Sequence, residues 1–239
     1  MNAEDWNIIR FDSVESTNDE ALKRSQEANG ANYVITAERQ TKGRGRRGRS
    51  WIGLEGNLFF SMLLEFDIKN LGALVVISAL SLLQSIKYIK SDANVRLKWP
   101  NDVLLNDAKV SGILLEKAEK NYMVAGIGVN IRQSPRNCGI IYKAMSLKEA
   151  GIDIKADDLL KLYIKFFSDN INLFYEEGFE VLRKQWLDNA KGIGKKITVR
   201  QGSDVKEGIF RGIDENADLL LENDGVVSKI LVGDVFYED

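Results

Sequence analysis

The chain contains no histidine and a single cysteine, Cys138. The missing histidine excludes Ser-His-Asp triads, Cys-His pairs and histidine-ligated metal centres. One cysteine allows neither an intrachain disulfide nor a cysteine zinc cluster. Any catalysis must therefore rest on lysine, arginine, aspartate, glutamate, backbone amides or a bound cofactor.

A strong excess of charge of one sign is also missing. The 33 lysines and arginines nearly balance the 35 aspartates and glutamates, for a formal net charge of −2. A protein that lives on nucleic acid is normally more basic, so we expect no nucleic-acid partner. The 239 residues, 44% of them hydrophobic, suit one medium and one small domain of an ordinary globular protein.

Long hydrophobic segments are scarce. The first six residues lack an apolar segment and predict no signal peptide. The longest apolar run, residues 71–83, looks too short and too polar to span a bilayer. We therefore expect a cytoplasmic protein with no membrane attachment.

Residues 40–51, which we call the basic loop, have a composition strongly biased toward lysine, arginine and glycine. It holds five lysines and arginines and three glycines, without any acidic residue. The planar guanidinium group of arginine can donate two parallel hydrogen bonds to a phosphate or carboxylate, and glycine leaves its amide N–H unshielded. Because like charges repel, we expect the loop to order when an anion binds and to act as a lid.

The glycines Gly43, Gly45 and Gly48 also match a dinucleotide-binding fingerprint. That fingerprint opens a helix directly after a strand, whereas here a polar segment precedes the glycines and a predicted strand follows. An arginine-glycine arm for nucleic acid would suit a chain terminus better. A plain solvated loop is less compatible with this composition, which favours an anion-binding loop.

A second cluster, Lys98 to Asp102, ends a predicted strand with the sequence Lys-Trp-Pro-Asn-Asp. Asn101 and Asp102 have the chemistry to form a turn or to coordinate Mg²⁺. Lys109 begins the next predicted strand, and a short hairpin would return it beside Asp102. In isolation, a strand-ending turn and a solvated lysine explain these residues equally well or better.

Two further patterns have competing explanations. Gly126 and Gly128 lie two apart in a predicted strand and leave one of its faces bare. A flat ligand can lie against such a face, although tight helix packing explains it equally well. Ser16-Thr17-Asn18 is suited to ligand contact, but helix N-caps have the same composition.

The order of the elements predicts an α+β fold. Short strands joined by turns indicate a mixed, mostly antiparallel sheet packed with helices, the longest at 71–89. The pattern changes after Gly192 to four or five short strands, with a hairpin signal at Asp224-Gly225. About 45 residues of this kind predict a small β-barrel. We predict one domain over 1–190 and a second over 191–239.

Taken together, these motifs resemble the biotin protein ligases, in order and spacing, over nearly the whole chain. The matching residues are Ser16, Thr17, Asn18, Gln40, 43–49, Trp51, 98–102, Lys109, Gly112, Gly126, Gly128 and Asn130. The resemblance implies a catalytic fold of the class II synthetase and biotin–lipoate ligase type, followed by an SH3-like barrel. Because the chain starts almost at the catalytic core, we expect the monofunctional type that lacks an N-terminal DNA-binding domain.

The resemblance implies an enzyme that uses ATP and Mg²⁺ to convert biotin to biotinyl-5′-AMP. The biotinyl group would then pass to a lysine of a biotin carboxyl carrier protein. A lipoate- or octanoate-protein ligase of the same superfamily is the alternative. The resemblance allows a monomer or a homodimer.

The resemblance also assigns roles to residues. Biotin would contact Ser16, Thr17, Asn18, Gln40, Arg44, Gly45, Arg46, Lys109, Gly112, Gly126 and Gly128. ATP and the adenylate would contact Arg44, Arg46, Trp51, Asn101, Lys109 and Asn130. Catalysis would rest on Lys109 and Arg46, and Asp102 would orient Lys109 or bind Mg²⁺.

Overall fold

The computed structural model describes residues 1–135 and 143–237, so Cys138 lies outside the described residues. The first sheet contains β1 (Trp6–Val14), β2 (Asn32–Gln40), β3 (Leu58–Glu65), β4 (Val95–Lys98), β5 (Asp102–Leu105), β6 (Ala108–Lys117) and β7 (Tyr122–Val129). The helices are α1 (Thr17–Ser25), α2 (Leu71–Ile89), α3 (Ala156–Glu177) and α4 (Phe179–Asn189). The second sheet contains β8 (Lys196–Gln201), β9 (Asp204–Ile213), β10 (Leu219–Asn223), β11 (Val226–Ile230) and β12 (Asp234–Tyr237).

The first sheet has the strand order β1-β2-β3-β7-β6-β5-β4. Among the described strands of this sheet, only β1 and β2 pair in parallel, and α1 provides the crossover that a parallel pair needs. The other five pairs are antiparallel and are joined largely by short turns. The mixed, mostly antiparallel sheet predicted from the sequence is confirmed.

One face of this sheet is covered by α2, α3 and α4. Alternate residues of β3 point toward these helices, and Phe60, Met62 and Leu64 are fully buried there. Among the described residues, one helical segment, Ile68–Ile89, is long and apolar enough to cross a membrane. The estimate that the apolar run is too short was therefore wrong. Most of this segment is buried inside the protein, as expected for a core helix.

The opposite face is covered only in part. There α1 packs Ala21 into a small cluster with Leu63 and Val124. Beyond that cluster, the same face carries residues with little or no side chain, among them Ser61, Gly126 and Gly128. The face therefore keeps an open space beside α1, and this space is the cavity described below.

The second sheet is antiparallel with the order β11-β10-β9-β8-β12. Within the described residues, no ladder joins β11 to β12, so the predicted closure into an SH3-like barrel is not confirmed. The two sheets share one hydrophobic core. The Trp99 indole donates to the Ala217 carbonyl at 2.9 Å, which ties the end of β4 to the turn between β9 and β10. The second sheet is thus packed directly beside the cavity.

Candidate active site

One cavity of about 500 Å³ is lined by all fifteen residues to which the resemblance assigns a role. They come from the start of α1, the end of β2, the basic loop, the β4–β5 turn and strands β6 and β7. The fold thus brings segments that lie more than 100 residues apart in the chain to one cavity. Their individual roles toward a ligand stay predictions.

The floor of the cavity is a row of residues across the sheet. Gly128 pairs with Gly112, Gly112 with Asp102, and Asp102 with Lys98, so these residues share one face. The Trp51 indole lies directly on this row, because a Cβ added to Gly128 would meet Trp51 Cε2 at 2.4 Å. The buried Trp51 Nε1 has no hydrogen-bond partner within the described chain. The row therefore offers a flat surface with one unused donor at its edge.

At one end of the row lies a hydrogen-bonded group that we call the neutral end, formed by Thr17, Asn18, Gln40 and Ser61. Gln40 Oε1 accepts from the Thr17 backbone N–H at 2.8 Å and lies 3.1 Å from the Thr17 hydroxyl. The Ser61 hydroxyl lies 2.8 Å from Thr17 Oγ1 and 2.5 Å from Asn18 Oδ1. Ser16 occupies the N-cap position of α1, but its side chain makes no capping hydrogen bond. The helix-cap explanation thus leaves the Ser16 side chain unexplained.

Gly126 contributes to this end through its missing side chain. A Cβ at this position would lie 2.0 Å from Asn18 Oδ1. The bare strand face is therefore occupied by the Asn18 amide as well as exposed to the cavity. Glycine is required here because the amide packs directly against the β7 backbone.

At the other end, which we call the cationic end, two predicted catalytic side chains are held in place. Lys109 Nζ lies 2.5 Å from Asp102 Oδ1, and Arg46 Nη1 donates to Asn101 Oδ1 at 3.0 Å. Burial lowers the pKa of the Arg46 guanidinium, and the charges of Asp234 and Asp102 oppose this shift. Arg46 is thus a partly desolvated cation, for which an incoming anion is a favourable partner.

The described residues contain no cluster of side chains typical of a resident metal site. No group of three or more histidine, cysteine, aspartate or glutamate side chains that could hold a metal ion occurs in residues 1–135 and 143–237. The Asp102 carboxylate is paired with Lys109, and its role as an orienting group or as a Mg²⁺ ligand stays a prediction. A Mg²⁺ ion that arrives on a triphosphate needs only one or two protein carboxylates.

The basic loop is tied to acidic residues on three elements. Arg44 Nη2 lies 2.7 Å from Asp19 Oδ1 and 2.8 Å from Glu116 Oε2. Arg47 pairs with Asp234 on β12 at 3.2 Å, and Arg49 pairs with the same carboxylate. Arg44, which is predicted to contact the ligand, is therefore held by two of the protein's own carboxylates, and its neighbours Arg47 and Arg49 share a third.

Sequence reasoning missed three residues of this arrangement. Ser61 interrupts an otherwise apolar strand, which was an available signal. Glu116 lies on the same strand face as Gly112 and contacts Asn18 and Arg44. Asp234 reaches the cavity from the second sheet, and no local pattern in the sequence indicates that position.

Comparison with known proteins agrees with this geometry. The family model described as Biotin/lipoate A/B protein ligase family matches residues 10–131, and the one described as Biotin protein ligase C terminal domain matches residues 192–237. The chain is 34% identical to the biotin--[acetyl-CoA-carboxylase] ligase of Paracoccus denitrificans, over 94% of this chain and 98% of that protein. It is 32% identical to the bifunctional ligase/repressor BirA of Escherichia coli K12, over 93% of this chain and 71% of that protein.

Solved structures show the same relationship. The biotin protein ligase of Aquifex aeolicus in complex with biotin and ATP superposes with a TM-score of 0.83 at 32% identity. That match covers 97% of this chain and 98% of the Aquifex chain. The first family model alone spans about half of this chain, and the Paracoccus protein is matched over nearly its whole length. The chain therefore belongs to the biotin/lipoate A/B protein ligase family.

Proposed function

We propose that this protein is a biotin protein ligase. It uses MgATP to convert biotin to biotinyl-5′-AMP, and it transfers the biotinyl group to a lysine of a biotin carboxyl carrier protein. Support comes from the Paracoccus ligase, similar over nearly its whole length, and from the Aquifex structure, which contains biotin and ATP.

The observation that carries this proposal is the division of one cavity into a neutral end and a cationic end. Biotin has a matching division, since its ureido ring is neutral and its valeryl chain ends in a carboxylate. The ring fits the hydrogen-bonding groups around Thr17, Asn18 and Gln40. The carboxylate then points toward Lys109 and Arg46.

In the first step, a carboxylate oxygen of biotin attacks the α-phosphorus of ATP. The bond from that phosphorus to the bridging oxygen breaks, and pyrophosphate leaves with the bonding electrons. Both reactants are anions, so the enzyme must offset their repulsion and align them. Lys109 and Arg46 are suited to this task because Asp102 and Asn101 hold them in place before the substrates arrive. Mg²⁺ enters with ATP as part of the substrate.

In the second step, the neutral amine of the acceptor lysine attacks the acyl carbon of biotinyl-5′-AMP. The bond between that carbon and the phosphate oxygen breaks, AMP leaves with the bonding electrons, and the amine nitrogen loses one of its two protons to solvent as the amide forms. The anhydride is sensitive to water, so a basic loop closed over it would protect it.

A lipoate- or octanoate-protein ligase is disfavoured by the neutral end. Ser61 is fully buried, and Thr17 and Asn18 are nearly so. Lipoyl and octanoyl chains have no ureido group, so they would displace water from these polar groups without offering hydrogen bonds in return. Sites built to hydrogen-bond a polar substrate group reject analogues that lack it.

The test is intact-protein mass spectrometry of a carrier domain incubated with this protein, MgATP and one acid. We expect a mass increase of one biotinyl group on one lysine, only when biotin and ATP are both present. Parallel reactions with lipoate and octanoate should leave the carrier unmodified. Modification by either of these acids, but not by biotin, would replace the proposed function with the alternative.

A further inference from the structure

Glu116 lies on β6, on the same strand face as Gly112 and Leu114, because side chains alternate along a strand. Its Oε2 atom accepts from two donors that belong to different segments. Asn18 Nδ2 lies at 2.7 Å and Arg44 Nη2 at 2.8 Å. Only 23% of the Glu116 side chain is exposed. A carboxylate in this position acts on both the neutral end and the basic loop.

The contacts of Asn18 show what the carboxylate does at the neutral end. A side-chain amide has one donor end and one acceptor end, whereas an ionised carboxylate only accepts. The donor end of Asn18 faces Glu116 at 2.7 Å and the Leu114 carbonyl at 3.5 Å. A flipped amide would place its oxygen against these two acceptors. Glu116 therefore enforces one of the two orientations.

In the enforced orientation, the acceptor end of Asn18 lies beside Ser61 and over Gly126. Asn18 Oδ1 accepts from the Ser61 hydroxyl at 2.5 Å, and an amide oxygen has a second lone pair. The residue lines the cavity, so the second lone pair is suited to a ligand N–H. A ureido ring supplies such N–H groups.

We propose that Glu116 is a positioning residue for substrate specificity, which fixes the Asn18 amide so that its oxygen receives a ureido N–H of the substrate. This inference rests on the proposed function, and it concerns a residue that does not itself line the cavity. Glu116 acts here through Asn18, and its contact with Arg44 is not the cause of the specificity.

The contact with Arg44 provides the control. Arg44 has a second carboxylate partner, Asp19, at 2.7 Å, and 41% of its side chain is exposed. Ion pairs that are exposed to this degree contribute little to stability. Asp19→Asn therefore disturbs the loop contact to a similar extent as Glu116→Gln, while the partners of Asn18 stay in place. If specificity depended on the loop, both variants would change it.

The experiment measures kcat and KM of biotin-dependent pyrophosphate exchange for wild type, Glu116→Gln and Asp19→Asn. The substrates are biotin and biotin methylated at one or the other ureido nitrogen. In wild type, methylation at the nitrogen that faces Asn18 should raise KM about tenfold, the effect of one lost hydrogen bond. A glutamine at position 116 can donate or accept, so it no longer dictates the orientation of Asn18.

We expect Glu116→Gln to raise the KM for biotin about tenfold with little change in kcat. The penalty for methylation should nearly disappear in that variant, and Asp19→Asn should behave as wild type. Loss of the penalty is a readout that general destabilisation would not produce, because instability affects both substrates equally.

Three outcomes would overturn the inference. Glu116→Gln with a wild-type KM and a full methylation penalty would show that Asn18 is oriented without Glu116. Asp19→Asn that reproduces the Glu116→Gln result would show that the basic loop causes the effect. A wild-type protein that binds MgATP but shows no biotin-dependent exchange would contradict the proposed function first and this inference with it.

Discussion

The neutral end and the cationic end of the cavity are built in different ways. At the neutral end, uncharged groups pair with one another, apart from the contact of Asn18 with Glu116, and Ser61 at its centre is fully buried. The cationic end is supplied in part by the basic loop, which carries Arg46; the other loop arginines are partly exposed, with 41% of Arg44 and 44% of Arg49 accessible. Their partners are carboxylates of the protein itself, supplied by α1, β6 and β12.

This difference follows from the physical chemistry of the two ends. Neutral donors and acceptors satisfy one another inside a protein, so such a group can be assembled before any ligand arrives. Cations gathered in one loop repel each other and need counter-charges, which Asp19, Glu116 and Asp234 provide. A substrate at the neutral end adds hydrogen bonds to a finished arrangement. An anion at the loop must compete with bonds that already exist.

The largest effect is expected for Lys109→Met. This change removes the cation that Asp102 holds toward the cationic end, while the neutral end is untouched. We expect kcat of pyrophosphate exchange to fall by about 10²–10³-fold, the range for losing one preorganised electrostatic group. The Kd for biotin, measured by calorimetry, should change much less than kcat.

The control for this prediction is Lys109→Met combined with Asp102→Asn. The single variant leaves the Asp102 carboxylate, of which only 10% is exposed, without its 2.5 Å partner. Removing that charge should recover thermal stability without recovering exchange. Recovery of exchange in the double variant would show that Lys109 acts only by neutralising Asp102.

The second prediction breaks the neutral end. In Gly126→Ala, the new methyl group would lie 2.0 Å from Asn18 Oδ1, and it is fixed to the strand backbone. Asn18 must therefore move away from Ser61. We expect biotin affinity to fall by up to about 10²-fold, since a displacement of about 1 Å can have an effect of that size. Affinity for MgATP should stay close to that of wild type, and an equal loss for both ligands would contradict the separation of the two ends.

The two ends also differ in how far the sequence predicts them. Predicted site residues that lie within short motifs, such as Asn101, Asp102 and Arg44 to Arg46, do line one cavity, and their roles toward a ligand stay predictions. Ser61 was missed because its role depends on pairing with Gly126 across two strands. Glu116 was missed because strand alternation, rather than a motif, places it beside Asn18. Such positions follow from the register of the sheet, which composition and spacing do not specify.

Contacts that join distant elements were the least predictable. Asp234 lies 185 residues after Arg49, and their pairing depends on how the second sheet packs against the first. The second sheet itself was predicted from its turns, including Asp224-Gly225, where both residues have positive φ as a tight hairpin requires. The closure of its strands into a barrel was not confirmed, since no described ladder joins the edge strands β11 and β12. Local turn signals in the sequence do not specify which edge strands pair.

The third prediction concerns pH and the cationic end. Lys98 is buried at the end of the row that forms the cavity floor, and burial lowers the pKa of its ammonium group from 10.5 to about 8. The charged groups near it are Asp102, Asp234, Lys109 and Lys191, and it also faces the Tyr237 ring. The positive charge of Lys98 is therefore present below pH 8 and is lost as pH rises through 8. If this charge attracts the triphosphate, the KM for MgATP should rise about fivefold between pH 7 and pH 9, equivalent to one contact of ~1 kcal/mol.

Two variants sharpen this prediction. Lys98→Arg keeps its charge and should lose the rise in KM, whereas Lys98→Met should show a high KM at both pH values. In the unfolded chain Lys98 titrates near 10.5, so between pH 8 and pH 10.5 the unfolded state binds more protons. The free energy of unfolding of wild type should therefore increase with pH in this window relative to Lys98→Met. Urea unfolding at pH 7 and pH 9.5 measures this difference, and parallel behaviour of the two proteins would contradict the assigned titration.

The smallest effect is expected for Asp234→Asn, which removes the carboxylate shared by Arg47 and Arg49. Because both arginines are more than a third exposed, these ion pairs contribute little, and tryptic cleavage at Arg47 and Arg49 should accelerate only about threefold. Asp92→Asn, which removes an exposed ion pair with Lys90 elsewhere on the surface, is the matched control and should leave the rate unchanged. Biotin with MgATP should protect the loop in wild type and in Asp234→Asn alike, because the bound anions replace the lost carboxylate. Equal cleavage with and without ligands would show that the loop does not close over the substrates, and that the cationic end is as fixed as the neutral end.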